Sequence, residues 1–180
     1  MEAKHLQREF QPVKTARIKH LEQLFQLRKS GVEHHYLDAL GSSDVIDVFF
    51  SGQNFRKALE GDIGQGKVFL IEDPLDHAVK GYFQFQYQEI AGDNGICHLI
   101  SFAIDEEASY SGYFVDQLAA MEHHIQDAGC CRIKGVASEK EFIFLERMNY
   151  QMAAPKYRHT YSGVSVNFVP FVKVLFYPKL

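Results

Sequence analysis

Three apolar-rich runs occupy the middle of the chain: GKVFLIE (66–72), VKGYFQFQYQEI (79–90) and GICHLISFAI (95–104). They are dense in β-branched and aromatic residues, and PLDH and AGDNG, both rich in turn formers, separate them. Such runs predict strands, and three in succession predict an antiparallel meander. Phe83, Phe85 and Tyr87 alternate along the second run, which is the pattern of one face packed into a core.

From Gly112 the period changes. Phe114, Leu118, Met121 and Ile125 recur every three or four residues and Gly129 follows, predicting a helix stopped by glycine. CRIKGVA (131–137) then reads as a strand and EFIFLERM (141–148) as a helix that ends before Asn149 and Tyr150. A strand, a helix and a further strand in this order imply a parallel crossover. Upstream, HLQREFQPV (5–13) alternates like a strand, and Thr15 is placed to cap a helix over TARIKHLEQLFQL (15–27). Between Val32 and Gly61, the runs YLDAL, DVIDVFF and FRKALE are separated by GSS and SGQN and predict two or three short helices. The tail holds two extended segments, QMAAPKYRHT (151–160) and VPFVKVLFY (169–177), with Pro170 expected at a strand start or edge. No repeat or linker divides the chain, so the pattern predicts one α/β domain over residues 1–180, a mixed, mostly antiparallel sheet flanked by helices.

Composition narrows the function classes. With 180 residues and 46% hydrophobic content the chain can bury a full core. A net charge of −4 argues against a nucleic-acid partner, which needs clustered Lys and Arg. The basic residues Lys14, Arg17, Lys19, Arg28 and Lys29 alternate with Ile18, Leu21, Leu24 and Phe25 and read as a solvated helix face. Three cysteines without framework spacing, Cys97, Cys130 and Cys131, and no apolar leader point to a reducing, cytoplasmic setting. No apolar run approaches the ~20 residues of a membrane span. Cys130 and Cys131 beside His123 and His124 make no chelate, because adjacent helical residues point about 100° apart, so no metal is expected. His34 and His35 lack a third ligand, and GDIGQGK (61–67) precedes a strand and lacks the spacing of a phosphate loop.

The informative stretch is ASYSGYFVDQL (108–118), a lone glycine among serines and aromatics where a strand gives way to a helix. The first backbone N–H groups of a helix lack intrahelical partners and sit at the positive end of the macrodipole, so this junction suits an anion. Ile104 ends the preceding strand and Gly112 follows eight positions later. That spacing, with the helix, its terminal Gly129, the next strand and EFIFLERMNY, resembles the GNAT superfamily of N-acetyltransferases from about Lys67 to Tyr150.

The resemblance implies a sheet splayed between the family's fourth and fifth strands, with acetyl-CoA or another acyl-CoA in the cleft. Phe102, Ala103 and Ile104, with the loop and helix start Ser109, Tyr110, Ser111, Gly112, Tyr113 and Phe114, would then hold the pantetheine and pyrophosphate. The family's loop reads Arg/Gln-x-x-Gly-x-Gly/Ala; here Ser109 stands for the Arg or Gln and Phe114 for the second small residue, where its ring would crowd the phosphate path. Leu145 occupies the register of the Tyr that protonates the leaving thiolate in many members, and Ser138 or Glu139 the place of a common Asn. Tyr150 takes the position of a packing aromatic. His98, six residues before Ile104, lies where some members carry a catalytic Glu, and strict alternation would put it on the face of Ile100 and Phe102. Imidazole is the side chain best matched to proton transfer near neutrality, so His98 is the candidate general base, with Glu89 a weaker one. The expected activity is acyl transfer from a CoA-type thioester to a small-molecule or peptide amine, and a homodimer is compatible with it. Two alternatives stand beside this: a catalytically silent ligand- or protein-binding domain, and an acyltransferase using a long-chain or carrier-protein-bound donor.

Overall fold

The computed structural model describes residues 13–40, 53–88, 95–105, 112–161 and 164–175. Among them are seven strands: β1 (Val68–Glu72), β2 (Val79–Gln88), β3 (Gly95–Ile104), β4 (Cys130–Ser138), β5 (Gln151–Met152), β6 (Tyr157–Tyr161) and β7 (Val164–Val174). Four α-helices accompany them: α1 (Leu21–Leu40), α2 (Gln53–Gly64), α3 (Gly112–Asp127) and α4 (Glu139–Arg147). The strands form one sheet in the order β1-β2-β3-β4-β7-β5, with β6 also paired to β7. Only β3 and β4 run parallel, because α3 carries the chain across between them; every other pairing is antiparallel.

The alternation along β2 sorts its side chains between two cores. Phe83 and Phe85 point to the face covered by α3 and α4, where they meet Phe69, Leu99, Phe114, Leu118 and Ile125. Tyr82 points to the opposite face, covered by α1 and α2, beside Leu24, Leu59, Val68 and Ala103. On that second face the Tyr82 hydroxyl is 2.9 Å from the Ser101 Oγ, which satisfies a fully buried phenol. Burial pushes that phenol up to about 12, so it stays protonated.

The N-terminal part departs from the sequence pattern. Thr15 is extended and bridges to Phe69, so it is not a helix cap; Ala16 N donates to Val68 O at 2.8 Å and Leu70 N to Lys14 O at 2.8 Å. The helix opens instead through a 3-10 turn, Ile18–His20, where Arg17 N donates to the His20 Nδ1 at 2.9 Å. α1 does not break near Val32 but continues through Gly31 and absorbs YLDAL. A glycine inside a helix costs about 1 kcal/mol, and here the space does not require one, since a Cβ on Gly31 would stand in ordinary contact, 3.9 Å from that of Ala103. FRKALE falls within α2, whereas the predicted elements HLQREFQPV (all but its last residue) and DVIDVFF lie outside the described residues.

Pro170 corrects a second expectation, since it sits inside β7, a strand paired on both sides. Its carbonyl accepts from Ala153 N at 2.9 Å, so its missing N–H faces the same side, toward β5 and β6. The pairing of β5 stops at Phe171 and that of β6 at Phe168, which leaves Pro170 at the one break where no donor is required. Helix stops fall where the pattern put them, with Gly129 at φ +93° after α3 and Asn149 at φ 63° after α4.

Two features lock α3 and α4 onto the sheet. Four phenylalanines form a ring of contacts: Phe83–Phe102 at 5.8 Å, Phe83–Phe114 at 6.0 Å, Phe102–Phe144 at 6.2 Å and Phe114–Phe144 at 5.0 Å. These separations lie in the favourable range for aromatic pairs. In addition the buried Glu122 accepts from Lys173 Nζ with both carboxylate oxygens at 2.7 Å and from the Tyr150 hydroxyl at 3.0 Å, while Lys173 Nζ also donates to Met148 O at 2.9 Å. Tyr150 is thus a core residue that ties α3 to the end of α4. Lys173→Met should cost about 3–5 kcal/mol, because it strands a buried carboxylate without its cation; urea unfolding measures this. Phe114→Ala should cost a similar ~3–5 kcal/mol by opening a cavity beneath three rings, read from the same transition.

Candidate active site

The site originates in an incomplete ladder. β3 and β4 pair only from Gly95 to Leu99 on one side and from Cys130 to Gly135 on the other. Beyond this point β3 stays with β2 and β4 with β7, so the two strands diverge. Two local features accompany the split. Gln84 pairs with Ser101 and Phe85 with Leu99, which leaves Ile100 as an extra, bulged residue on β3. Opposite it, a Cβ on Gly135 would lie 2.4 Å from Phe171 Cζ and 2.8 Å from Leu99 O, so only glycine fits where the strands part.

The divergence opens a cavity of about 450 Å³. Its walls are mostly apolar: Leu99, Ile100 and Phe102 from β3, Val136 from β4, and Phe168 and Phe171 from β7. The β6–β7 hairpin adds Tyr157 and His159, with Tyr157 stacked on Phe168 at 5.8 Å. The size and lining are those of a small-molecule site.

Its polar lining is Ser101, His159 and an ion pair of Arg28 and Glu141. Arg28 Nη1 donates to Glu141 Oε1 at 3.2 Å and to Phe102 O at 3.1 Å. Glu141 Oε2 accepts from Ser138 N at 2.9 Å, and Glu141 N donates to Ser138 Oγ at 3.2 Å, a capping box that starts α4. One continuous path of hydrogen bonds therefore spans the open jaws, from the β3 carbonyl of Phe102 through Arg28 and Glu141 to the end of β4. It supplies in side-chain form part of what the missing ladder would have supplied, since backbone groups exposed by a split sheet still need partners.

This overturns the reading of Arg28 as part of a solvated face: its side chain is 13% exposed and faces the sheet. The signal was in the sequence, because Arg28 lies four residues from both Leu24 and Val32, each fully buried, on the inward stripe of α1. Glu141 likewise announces itself as the fourth member of Ser-x-x-Glu.

The bulge also moves His98. Alternation resets at Ile100, so His98 shares its face with Gln86, Ser101 and Ala103, the α1 side, and not with Phe102 and Ile104, which join the α3/α4 core. His98 is half-buried, pairs with Lys134 on β4 and stands one residue short of the split. Phe102 lines the cavity; Ala103 is buried on the opposite face, and Ile104 packs against the α3/α4 core.

Of the predicted anion loop, Gly112, Tyr113 and Phe114 form the first turn of α3, and Ser109, Tyr110, Ser111 and Glu89 lie outside the described residues. Among the described residues a Cβ on Gly112 would meet nothing within 4 Å, and its φ is not in the left-handed region. None of the described residues therefore demands glycine here. Phe114 is fully buried in the aromatic ring, so its side chain does not crowd a phosphate path there. Leu145 is wholly buried, leaving no hydroxyl at that position of α4. Cys97 and Cys130 are buried and hydrogen-bonded to each other near the paired end; burial first, then the neighbouring thiol, pushes the Cys97 thiol up, which suits packing and not nucleophilic chemistry. Among the described residues no helix is long and apolar enough to cross a membrane.

The sequence significantly matches no protein-family model and no curated protein. Solved structures do match. A ribosomal-protein-alanine N-acetyltransferase from Brucella melitensis superposes with a TM-score of 0.65 at 14% identity, covering 92% of this chain and 100% of its own. The PaiA N-acetyltransferase of Thermoplasma acidophilum, in complex with coenzyme A, gives 0.64 at 14% identity over 91% of this chain and 98% of its own. A GNAT-family acetyltransferase from Bacillus anthracis gives 0.60 at 9% identity over 90% and 93%. The parallel pair that splits within a mixed sheet, between helices on both faces, is the GNAT fold.

Proposed function

We propose that this chain is a single-domain N-acyltransferase that moves an acetyl or longer acyl group from a CoA-type thioester to an amine. The observation that carries the reading is the cavity at the split of β3 and β4, in a fold shared with acetyltransferases, one of them bound to coenzyme A. The start of α3 at Gly112 supports it. The first-turn N–H groups of Gly112, Tyr113 and Phe114 fit an anionic pyrophosphate, and the absence of a Cβ lets it approach the backbone. Ser109, Tyr110 and Ser111 would complete that loop with neutral donors, so the affinity would rest on backbone amides and not on a basic side chain.

In the reaction the amine nitrogen attacks the thioester carbonyl, the carbon–sulfur bond breaks, and the nitrogen loses a proton. We assign that proton to His98, which lies on the α1 face one residue short of the split, outside the lining of the cavity, and would act through a water. With Leu145 buried, the leaving thiolate would depart unassisted by α4. Loss of that acid favours the second reading, a domain that binds a thioester without turning it over.

Acetyl-CoA at a hundred times its dissociation constant should stabilise the protein by ~2.7 kcal/mol, seen as a rise in melting temperature. Gly112→Val should leave the melting temperature of the free protein unchanged while weakening CoA about tenfold or more by calorimetry, since a Cβ there would enter the space of the ligand and meet none of the described residues. Equal losses of stability and affinity would count against a phosphate role. His98→Ala should lower kcat/KM by ~10²–10⁴-fold with CoA affinity intact. A loss below tenfold would return His98 to a structural part, and CoA binding without turnover in the wild type would select the second reading.

A further inference from the structure

We propose that Arg28 and Glu141 are positioning residues: together they form a strut that holds the cleft between β3 and β4 open before a thioester arrives. The identity of the ligand rests on the acyltransferase reading above; the strut rests on the geometry. Phe102 and Ser138 stand three residues past Leu99 and Gly135, the last pair of the ladder, one on each strand. An intact ladder would tie such a rung with backbone bonds, at a strand spacing of about 4.8 Å. Here three hydrogen bonds in series take their place: Arg28 Nη1 to Phe102 O at 3.1 Å, Arg28 Nη1 to Glu141 Oε1 at 3.2 Å, and Ser138 N to Glu141 Oε2 at 2.9 Å. Both members are anchored. Arg28 lies on α1 between the buried Leu24 and Val32, and Glu141 is fixed by the capping box that starts α4.

Without a strut the cleft has reason to close. Leu99, Ile100 and Phe102 line it from one strand and Val136 from the other, and Ile100 and Val136 each remain 50% exposed. Apolar walls in water gain free energy by meeting each other. β2 and β7 hold the two strands from their outer sides, and among the described residues no backbone pairing of β3 with β4 spans the cleft past Leu99 and Gly135. Ser101, whose hydroxyl meets that of Tyr82, belongs to the β3 side, and His159 to the hairpin beside β7. A desolvated ion pair is a poor source of stability, because lost hydration offsets its attraction; what this one supplies is a fixed separation. The Arg28 and Glu141 side chains are 13% and 6% exposed, and a guanidinium stays charged throughout the pH range of a folded protein. A cleft already open takes its ligand without the cost of parting the walls.

The test is the double variant Arg28→Met/Glu141→Gln, which removes both charges together and leaves a side chain that can still cap α4. Crystal structures without ligand read the separation of the Phe102 and Ser138 Cα atoms, and calorimetry reads acetyl-CoA affinity. The variant should bring these atoms closer by about 1 Å or more, toward the spacing of a ladder, and bind acetyl-CoA at least tenfold more weakly. Arg28→Lys should do both to a smaller extent, since an ammonium on a shorter stem holds its two partners only if they draw together; it decides the matter if the double variant does not fold. An unchanged or wider separation overturns the strut. Weaker acetyl-CoA binding at unchanged separation overturns it too, because the pair would then touch the ligand directly. Closure with acetyl-CoA affinity intact overturns the positioning role. Closure in a protein whose wild type does not bind acetyl-CoA upholds the strut and rejects the acyltransferase reading, whereas acetyl-CoA turnover in a wild type whose variants keep the open spacing does the reverse.

Discussion

A parallel ladder that stops halfway governs this molecule. β3 and β4 are held together as far as Leu99 and Gly135, and past that point neither can return to the other. The bulge at Ile100 re-aims one strand, and the close approach of Phe171 to Gly135 fixes the other against β7. A split sheet exposes backbone donors and acceptors in the middle of a fold, where they need partners. Arg28 reaches one of these carbonyls from the far side of the sheet, and its partner Glu141 caps the helix that follows β4. The cavity, its polar floor and the start of α4 are therefore consequences of one interruption.

The two faces of the sheet contribute differently to that cavity. The α3/α4 side is closed by the phenylalanine ring, in which Phe102 serves both as a core contact and as a wall of the site. The α1 side contributes charge and hydrogen bonding through Arg28 and Ser101, and the hairpin of β6 and β7 adds Tyr157 and His159. One wall of the cavity is thus part of the packed core, and another is part of the surface.

Much of the architecture was legible in the sequence because its strands are dense in β-branched and aromatic residues and bounded by turn formers. GICHLISFAI matches β3 to the residue, and α3 begins at Gly112 and ends before Gly129 as its period requires. The failures share a physical origin in tertiary context. Gly31 and the run after it read as a break, yet α1 continues through both, with Leu24 and Val32 buried on its inward stripe. Pro170 reads as a strand end, yet it sits mid-strand at a gap in pairing that no local pattern reveals. In the site, strict alternation puts His98 on the wrong face, because a bulge cannot be seen in a period-2 pattern. Arg28 reads as solvent-facing by its charge, and its register with Leu24 and Val32 is the signal that turns it inward. The family resemblance located the split; only the register of β2 against β3 revealed which side chains look into it.

Pro170 has one more effect. Where β7 passes from β5 to β6, the Pro170 carbonyl is taken by Ala153 N, and the ring removes the N–H that would otherwise be left without a partner. Unpaired donors on a long apolar strand invite a strand from another molecule to add itself. The residue that lets β7 change partners thus leaves an intruder no donor at that point of the sheet.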